Sequence, residues 1–71
     1  MKIVFTLHAL EQMKERKIHR EWVLETLLRP DEVEQETSIK WLAKRRLNGH
    51  TLEVVFERRT NIKVITLYWI Q

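Results

Sequence analysis

Seventy-one residues are enough for one small domain and too few for a two-domain enzyme or a nucleotide-binding unit with its own substrate domain. Hydrophobic residues make up 44% of the chain and charged residues 32%, a balance that builds a core and excludes a disordered chain. There is no Cys, hence no disulfide, thiolate metal site or cysteine nucleophile, and 13 Lys and Arg against 10 Asp and Glu leave a net charge of +3 that mildly favours a polyanionic partner.

Residues 2–6 are β-branched and aromatic and predict a short strand. Thr6 is placed to cap the helix that follows, although no Glu or Gln stands three residues later to complete a capping box. Leu7, Leu10 and Met13, with Ile18 just beyond, give helical spacing over residues 7–17. Residues 20–29 predict a second helix with Val23, Leu24, Leu27 and Leu28 as its buried stripe, ended at Arg29 by the following Pro30. The joint at Ile18 and His19 is short, so the two helices form a hairpin.

Residues 33–38 predict at most an irregular edge segment. Asn48-Gly49 is the strongest hairpin signal in the chain and joins strands 40–47 and 50–58. Thr60-Asn61 is a weaker turn signal leading into a strand over 62–70. The reading is one α+β domain over residues 1–71, ordered β-α-α-β-β-β, with the helical hairpin packed on one face of an antiparallel sheet. No apolar stretch reaches membrane-spanning length and no leader pattern is present, so the expected location is the cytoplasm.

A two-residue Asn48-Gly49 loop pairs Leu47 with His50, Arg46 with Thr51, Lys44 with Glu53 and Trp41 with Phe56. If the second turn has two or four residues, Arg58 faces Lys63, Phe56 faces Ile65 and Glu53 faces Tyr68. One face then carries Trp41, Ala43, Leu52, Val54, Phe56, Ile65, Leu67 and Trp69 as a core. The other carries Lys40, Lys44, Arg46, Glu53, Val55, Glu57, Val64, Thr66 and Tyr68. A three-residue second turn would flip the last strand and take Tyr68 out of the row.

The second face sets Lys44, Glu53 and Tyr68 side by side, with Arg46 one step along. RNA cleavage without a metal needs a base for the 2′-hydroxyl, cations for the crowded phosphate and an acid for the leaving oxygen. Glu53 or Lys44 suits the base, Arg46 the clamp, and Tyr68 the acid or a stacking platform. Ordinary cross-strand pairing produces the same row, at roughly 0.2–1 kcal/mol per pair. The run Lys40, Lys44, Arg45 and Arg46 is the candidate nucleic-acid contact.

His8, Gln12, Arg16 and His19 form a polar stripe on the first helix. His8, His19 and His50 lack the spacing of a zinc helix, so neither metal nor cofactor is expected. Trp22 lies beside the second helix's stripe, either at the edge of the core or as a partner contact.

The segment from Phe5-Thr6-Leu7-His8-Ala9 through Gln12-Met13 to Arg16-Lys17-Ile18 resembles the F-T-x-H-A-x-x-R-M-x-x-R-G-I opening of a family of domains of unknown function. That family is grouped with RelE/ParE-like toxins and is similar to the BrnT-type ribonuclease toxins. The likeness continues through Leu27 to Pro30, Arg46-Leu47-Asn48-Gly49, Leu52-Glu53-Val54-Val55 and Val64-Ile65-Thr66-Leu67-Tyr68. It implies a RelE/ParE fold and a type II toxin–antitoxin role. Members of the wider group cleave mRNA without a metal, often on the ribosome, while ParE-like members poison gyrase; a cognate antitoxin partner is implied in either case. Carried over by position, His8 and Arg16 match the helix motif, Lys44 and Arg46 the basic positions of the middle strand, and Thr66 and Tyr68 the last strand. Gln12 stands where the pattern has Arg, and Lys17 where it has Gly.

Two functions follow as expectations. The first is a toxin-like, metal-independent endoribonuclease using His8, Arg16, Lys44, Arg46, Glu53 and Tyr68. The second is a non-catalytic domain that holds nucleic acid or a protein on the same basic face.

Overall fold

Thr6 starts the first helix in two ways. Its hydroxyl accepts from the Ala9 backbone N–H at 3.0 Å and donates to the Ile65 carbonyl at 2.9 Å, so the cap also ties the helix to the last strand. In the computed structural model, which describes residues 2–70, the elements are β1 (Ile3–Phe5), α1 (Leu7–Glu15), α2 (Arg20–Leu28), β2 (Glu32–Gln35), β3 (Lys40–Leu47), β4 (His50–Arg58) and β5 (Ile62–Trp69). The fold is α+β: both helices pack on a five-stranded sheet of order β1-β5-β4-β3-β2.

The sheet is mixed, which corrects the antiparallel expectation. β1 runs parallel to β5, pairing Ile3 with Ile62, Val4 with Lys63 and Phe5 with Val64. A parallel neighbour needs a long crossover, and here the rest of the chain separates the two strands. No local signal near residues 2–6 carries that information. Where an irregular edge segment is expected over residues 33–38, Glu32–Gln35 form a true strand paired antiparallel to β3, and all four of its residues are exposed.

α1 ends at Arg16, and Lys17 takes φ +53°. The Ile18 N–H then donates to the Met13 carbonyl at 2.8 Å and the Lys17 N–H to the Lys14 carbonyl at 3.4 Å, the paired bonds of a left-handed helix terminus. The Gly of the resembled pattern belongs at such a position, and Lys17 occupies it with a side chain. Asn48 and Gly49 both have positive φ, +52° and +85°, as the two-residue hairpin turn requires. All four β3–β4 pairings read from the sequence are present.

The β4–β5 register holds a correction. The loop of Arg59, Thr60 and Asn61 has three residues, because Arg58 pairs with Ile62. Glu57 accordingly meets Lys63, and Phe56 meets Val64 rather than Ile65. The register then shifts by one between Val55 and Phe56, so that Val55 meets Thr66, Val54 meets Leu67 and Glu53 meets Tyr68. Ile65 is the extra residue of this β-bulge. It lets Val64 and Leu67, three apart in sequence, both be fully buried, and it returns Tyr68 to the face predicted for it. Deleting Ile65 should keep a cooperative thermal melt, because Val64, Thr66, Leu67 and Tyr68 retain their partners and faces in a regular ladder. Inserting one Gly between Thr66 and Leu67 should instead abolish the transition, because Leu67 and Tyr68 would then exchange faces. A parental melt for the insertion would show that the face of Leu67 does not decide the fold.

The core between helices and sheet contains Ala9, Ile18, Val23, Ala43, Leu52, Val54, Phe56, Val64 and Leu67, with Trp41 and Trp69 packed at its margin. The helix stripes differ from expectation. Leu7 is 73% and Leu10 46% exposed, while Ala9 is fully buried and Met13 packs on the core. The Thr6 tether sets the rotation of α1, and the small Ala9 lets the helix lie close to the sheet. In α2 the buried residues are Val23 and Thr26, and Leu28 is 74% exposed. Thr26 is accommodated because its hydroxyl donates to the Trp22 carbonyl at 2.8 Å, which removes the cost of an unpaired buried polar group. Trp22 packs at the core margin and meets Trp69 edge to face, with ring centroids 5.7 Å apart.

Candidate functional site on the open sheet face

The helices leave one sheet face uncovered, and three registers align a row across it. Glu32 of β2 faces Lys44 of β3, Lys44 faces Glu53 of β4, and Glu53 faces Tyr68 of β5. The Lys44 Nζ lies 3.8 Å from Glu53 Oε1 and 4.0 Å from Glu32 Oε1. The Tyr68 hydroxyl donates to Glu53 Oε2. Glu53 is a buried charged residue, 8% exposed, whose two oxygens face a cation on one side and a phenol on the other. Such pairing is what a buried carboxylate requires.

Tyr68 feels this carboxylate strongly. Its hydrogen bond to Glu53, then burial, then the negative charges of Glu53 and Glu36, push the phenol up from 10.0 to about 12. The group therefore remains a proton donor throughout the neutral range. The resulting stability contribution is fully present below pH 10.0 and is lost as pH rises through about 12, because the unfolded chain ionises first. Tyr68 is the only tyrosine in the chain, so phenolate absorbance reports it alone. A titration should show its midpoint near 12 in the parent and closer to the free-phenol value in Glu53→Gln. A parental midpoint at the free-phenol value would show that Glu53 does not hold the phenol.

The remaining predicted residues divide into two groups. His8 reaches the open face from the first turn of α1, where its Nε2 and Thr66 Oγ1 are hydrogen-bonded at 3.1 Å. Thr66 lies two residues from Tyr68 on the same strand face. Arg46 sits beyond the row, opposite Thr51, with an exposed side chain and no ion pair among the described residues. Lys44, Arg46, Thr51, Asp31 and Glu32 help line a depression of about 200 Å³ at this end.

Three predicted residues lie elsewhere. Arg45 points to the helix side, where its Nε donates to Glu25 Oε2 at 2.9 Å and an Nη donates to the Arg29 carbonyl at 2.6 Å. It closes the end of α2 onto β3. Arg16 is exposed and donates to Gln12 Oε1 at 2.7 Å, which gives Gln12 a local role. Lys40 is exposed, 3.5 Å from Glu36, in a separate row of the open face.

Glu32 is the member of the site that sequence reasoning missed. The alternation Glu32-Val33-Glu34 was its signal: period-2 charge on a short edge strand. Among the described residues no three His, Cys, Asp or Glu side chains converge as a metal-binding group, and no helix is long and apolar enough to cross a membrane.

The model of a family described as a domain of unknown function, DUF4258, matches residues 5–69. No curated protein and no solved structure matches the chain.

Proposed function

This chain belongs to the DUF4258 family of domains, and on that premise we propose that it is the toxin-like member of a type II toxin–antitoxin pair, a metal-independent endoribonuclease that cleaves mRNA on its open sheet face. The observation that carries the reading is the Tyr68–Glu53–Lys44 row: a proton donor, a buried carboxylate and a cation on one accessible surface. The RelE/ParE-like arrangement belongs to the same proposal, supported by a helical hairpin packed against one side of the sheet.

In the proposed reaction Glu53 takes the proton of a ribose 2′-hydroxyl, and the 2′-oxygen attacks the adjacent phosphorus. Lys44 and Arg46 stabilise the added negative charge. The bond from phosphorus to the 5′-oxygen breaks, and Tyr68 or His8 protonates that oxygen. The products are a 2′,3′-cyclic phosphate and a 5′-hydroxyl end. Outside the cleavage step, a cognate antitoxin covers the open face, and the ribosome is a candidate site of action.

One observation favours the non-catalytic alternative. Glu32 and Glu53 both flank Lys44, which leaves that ammonium less charge to offer a phosphate, so the face would then hold nucleic acid or protein without cleaving.

The test is expression of the chain without a partner, read as growth and transcript cleavage, with purified protein assayed on single-stranded RNA in the presence of a chelator. Parent protein should slow growth and yield 5′-hydroxyl ends; Tyr68→Phe and Arg46→Ala should relieve both at matched protein level. Slowed growth without cleaved RNA would replace the ribonuclease with a binding or gyrase-directed role.

A further inference from the structure

The cations of the open face that lie outside the Tyr68 row stand at its two ends. Arg46 occupies one end. At the other, Lys40 faces Glu57, Glu57 faces Lys63, and Lys63 faces Val4 of β1. Lys63 Nζ lies 3.8 Å from Glu57 and remains half exposed, while Lys40 pairs with Glu36 at 3.5 Å. Each ammonium here has one carboxylate partner, whereas in the Tyr68 row two carboxylates share Lys44. Arg59 adds a guanidinium with no ion pair among the described residues. It lines an open depression of about 350 Å³ with Thr60, Asn61, Lys63, Glu57 and Val4. Its position in the β4–β5 loop follows from the three-residue turn.

We propose that the Arg59–Lys63 depression is a distal phosphate subsite for single-stranded nucleic acid, engaging the backbone a few nucleotides from the Tyr68–Glu53–Lys44 row. The inference rests on the nucleic-acid part of the function proposed above and not on cleavage. Glu53 and Glu57 are four residues apart on β4, about 13 Å at strand rise. A dinucleotide seated at the row does not span that distance, and a longer strand does. Between the rows lie Val55 and Leu42, facing each other, an apolar floor over which bases can lie. Arg46 and the Arg59 end thus hold phosphates on either side of the reacting position, while the acids of the row itself contribute no such grip. A guanidinium and an ammonium beside a hydroxyl and an amide form a donor set suited to phosphate oxygens.

The experiment measures binding of 2′-deoxy oligonucleotides, which lack the 2′-hydroxyl that the proposed cleavage consumes, over a range of salt. The probes are a dinucleotide and an octanucleotide, and the proteins are the parent chain and the double variant Arg59→Ala, Lys63→Gln. The parent should bind the octanucleotide more tightly. The double variant should lose roughly three- to tenfold in octanucleotide affinity and about 1.4 in the logarithmic salt slope, the release expected for two phosphates on a single strand. Dinucleotide binding should stay at the parental level. Unchanged octanucleotide affinity and slope, equal weakening of both probes, or no binding by the parent overturns the proposal. Tighter binding of polyglutamate than of the octanucleotide assigns this end to an acidic protein and overturns it as well. Octanucleotide binding that depends on Arg59 and Lys63, in a chain that cleaves no RNA, leaves the subsite standing and removes the ribonuclease alone.

Discussion

Under the proposed ribonuclease function, Glu53→Gln is expected to slow RNA cleavage by roughly 10²–10⁴-fold, the usual contribution of a positioned general base, while leaving the domain folded. The substitution keeps the shape of the side chain and an oxygen able to accept from Tyr68, so the contact across β4 and β5 survives. It removes the negative charge that would take the 2′-hydroxyl proton. Lys44 retains Glu32 as a carboxylate neighbour at 4.0 Å, so no ammonium is stranded. Cleavage and alkaline titration of Tyr68 are then read on one variant. A phenol midpoint that falls with cleavage intact would identify Glu53 as the holder of Tyr68 and exclude it as the base. Loss of both confirms that one carboxylate does both.

Leu67→Ala is expected to cost about 2–5 kcal/mol, because the side chain is fully buried and its removal leaves a cavity under α1 and β4. A domain of this size has total stability on the order of 5 kcal/mol, so the variant should keep at most about 3 kcal/mol and unfold at much lower denaturant than the parent. Leu7→Ala and Leu28→Ala should each stay within about 0.5 kcal/mol of the parent, since these side chains are 73% and 74% exposed. Chemical denaturation of the three variants checks the pattern. A Leu7→Ala cost comparable to that of Leu67→Ala would mean that α1 buries the face carrying Leu7 and Leu10.

That contrast shows where pattern reading reached its limit. Helical spacing at Leu7, Leu10 and Met13 located α1 and misjudged its rotation. The spacing of large apolar residues says that a stripe exists, but the stripe that packs is chosen by tethers and close approach. Here those are the bond from Thr6 to the Ile65 carbonyl and the small Ala9. Thr26 falls outside the apolar stripe for a related reason: it is polar, yet its hydroxyl is satisfied within the helix by the Trp22 carbonyl. Arg45 belonged to a cationic run in one dimension, and strand alternation sends it to the opposite face, where the end of α2 receives it.

The amino-acid sequence by itself determined the order of the elements other than β2, the Asn48-Gly49 turn and the β3–β4 pairing, because each depends on contacts between residues close along the chain. It therefore contained the Lys44–Glu53 neighbourhood. The tertiary structure decided the parallel docking of β1, the arrival of Glu32 beside Lys44, the phase of both helices and the charge at the Arg59 end. It also decided that Tyr68 rejoins the row, since a three-residue loop alone would have turned it away and the bulge at Ile65 turned it back. The bulge exists because Val64 and Leu67 must both be buried, a demand made by the packed core that appears only once helices and sheet meet.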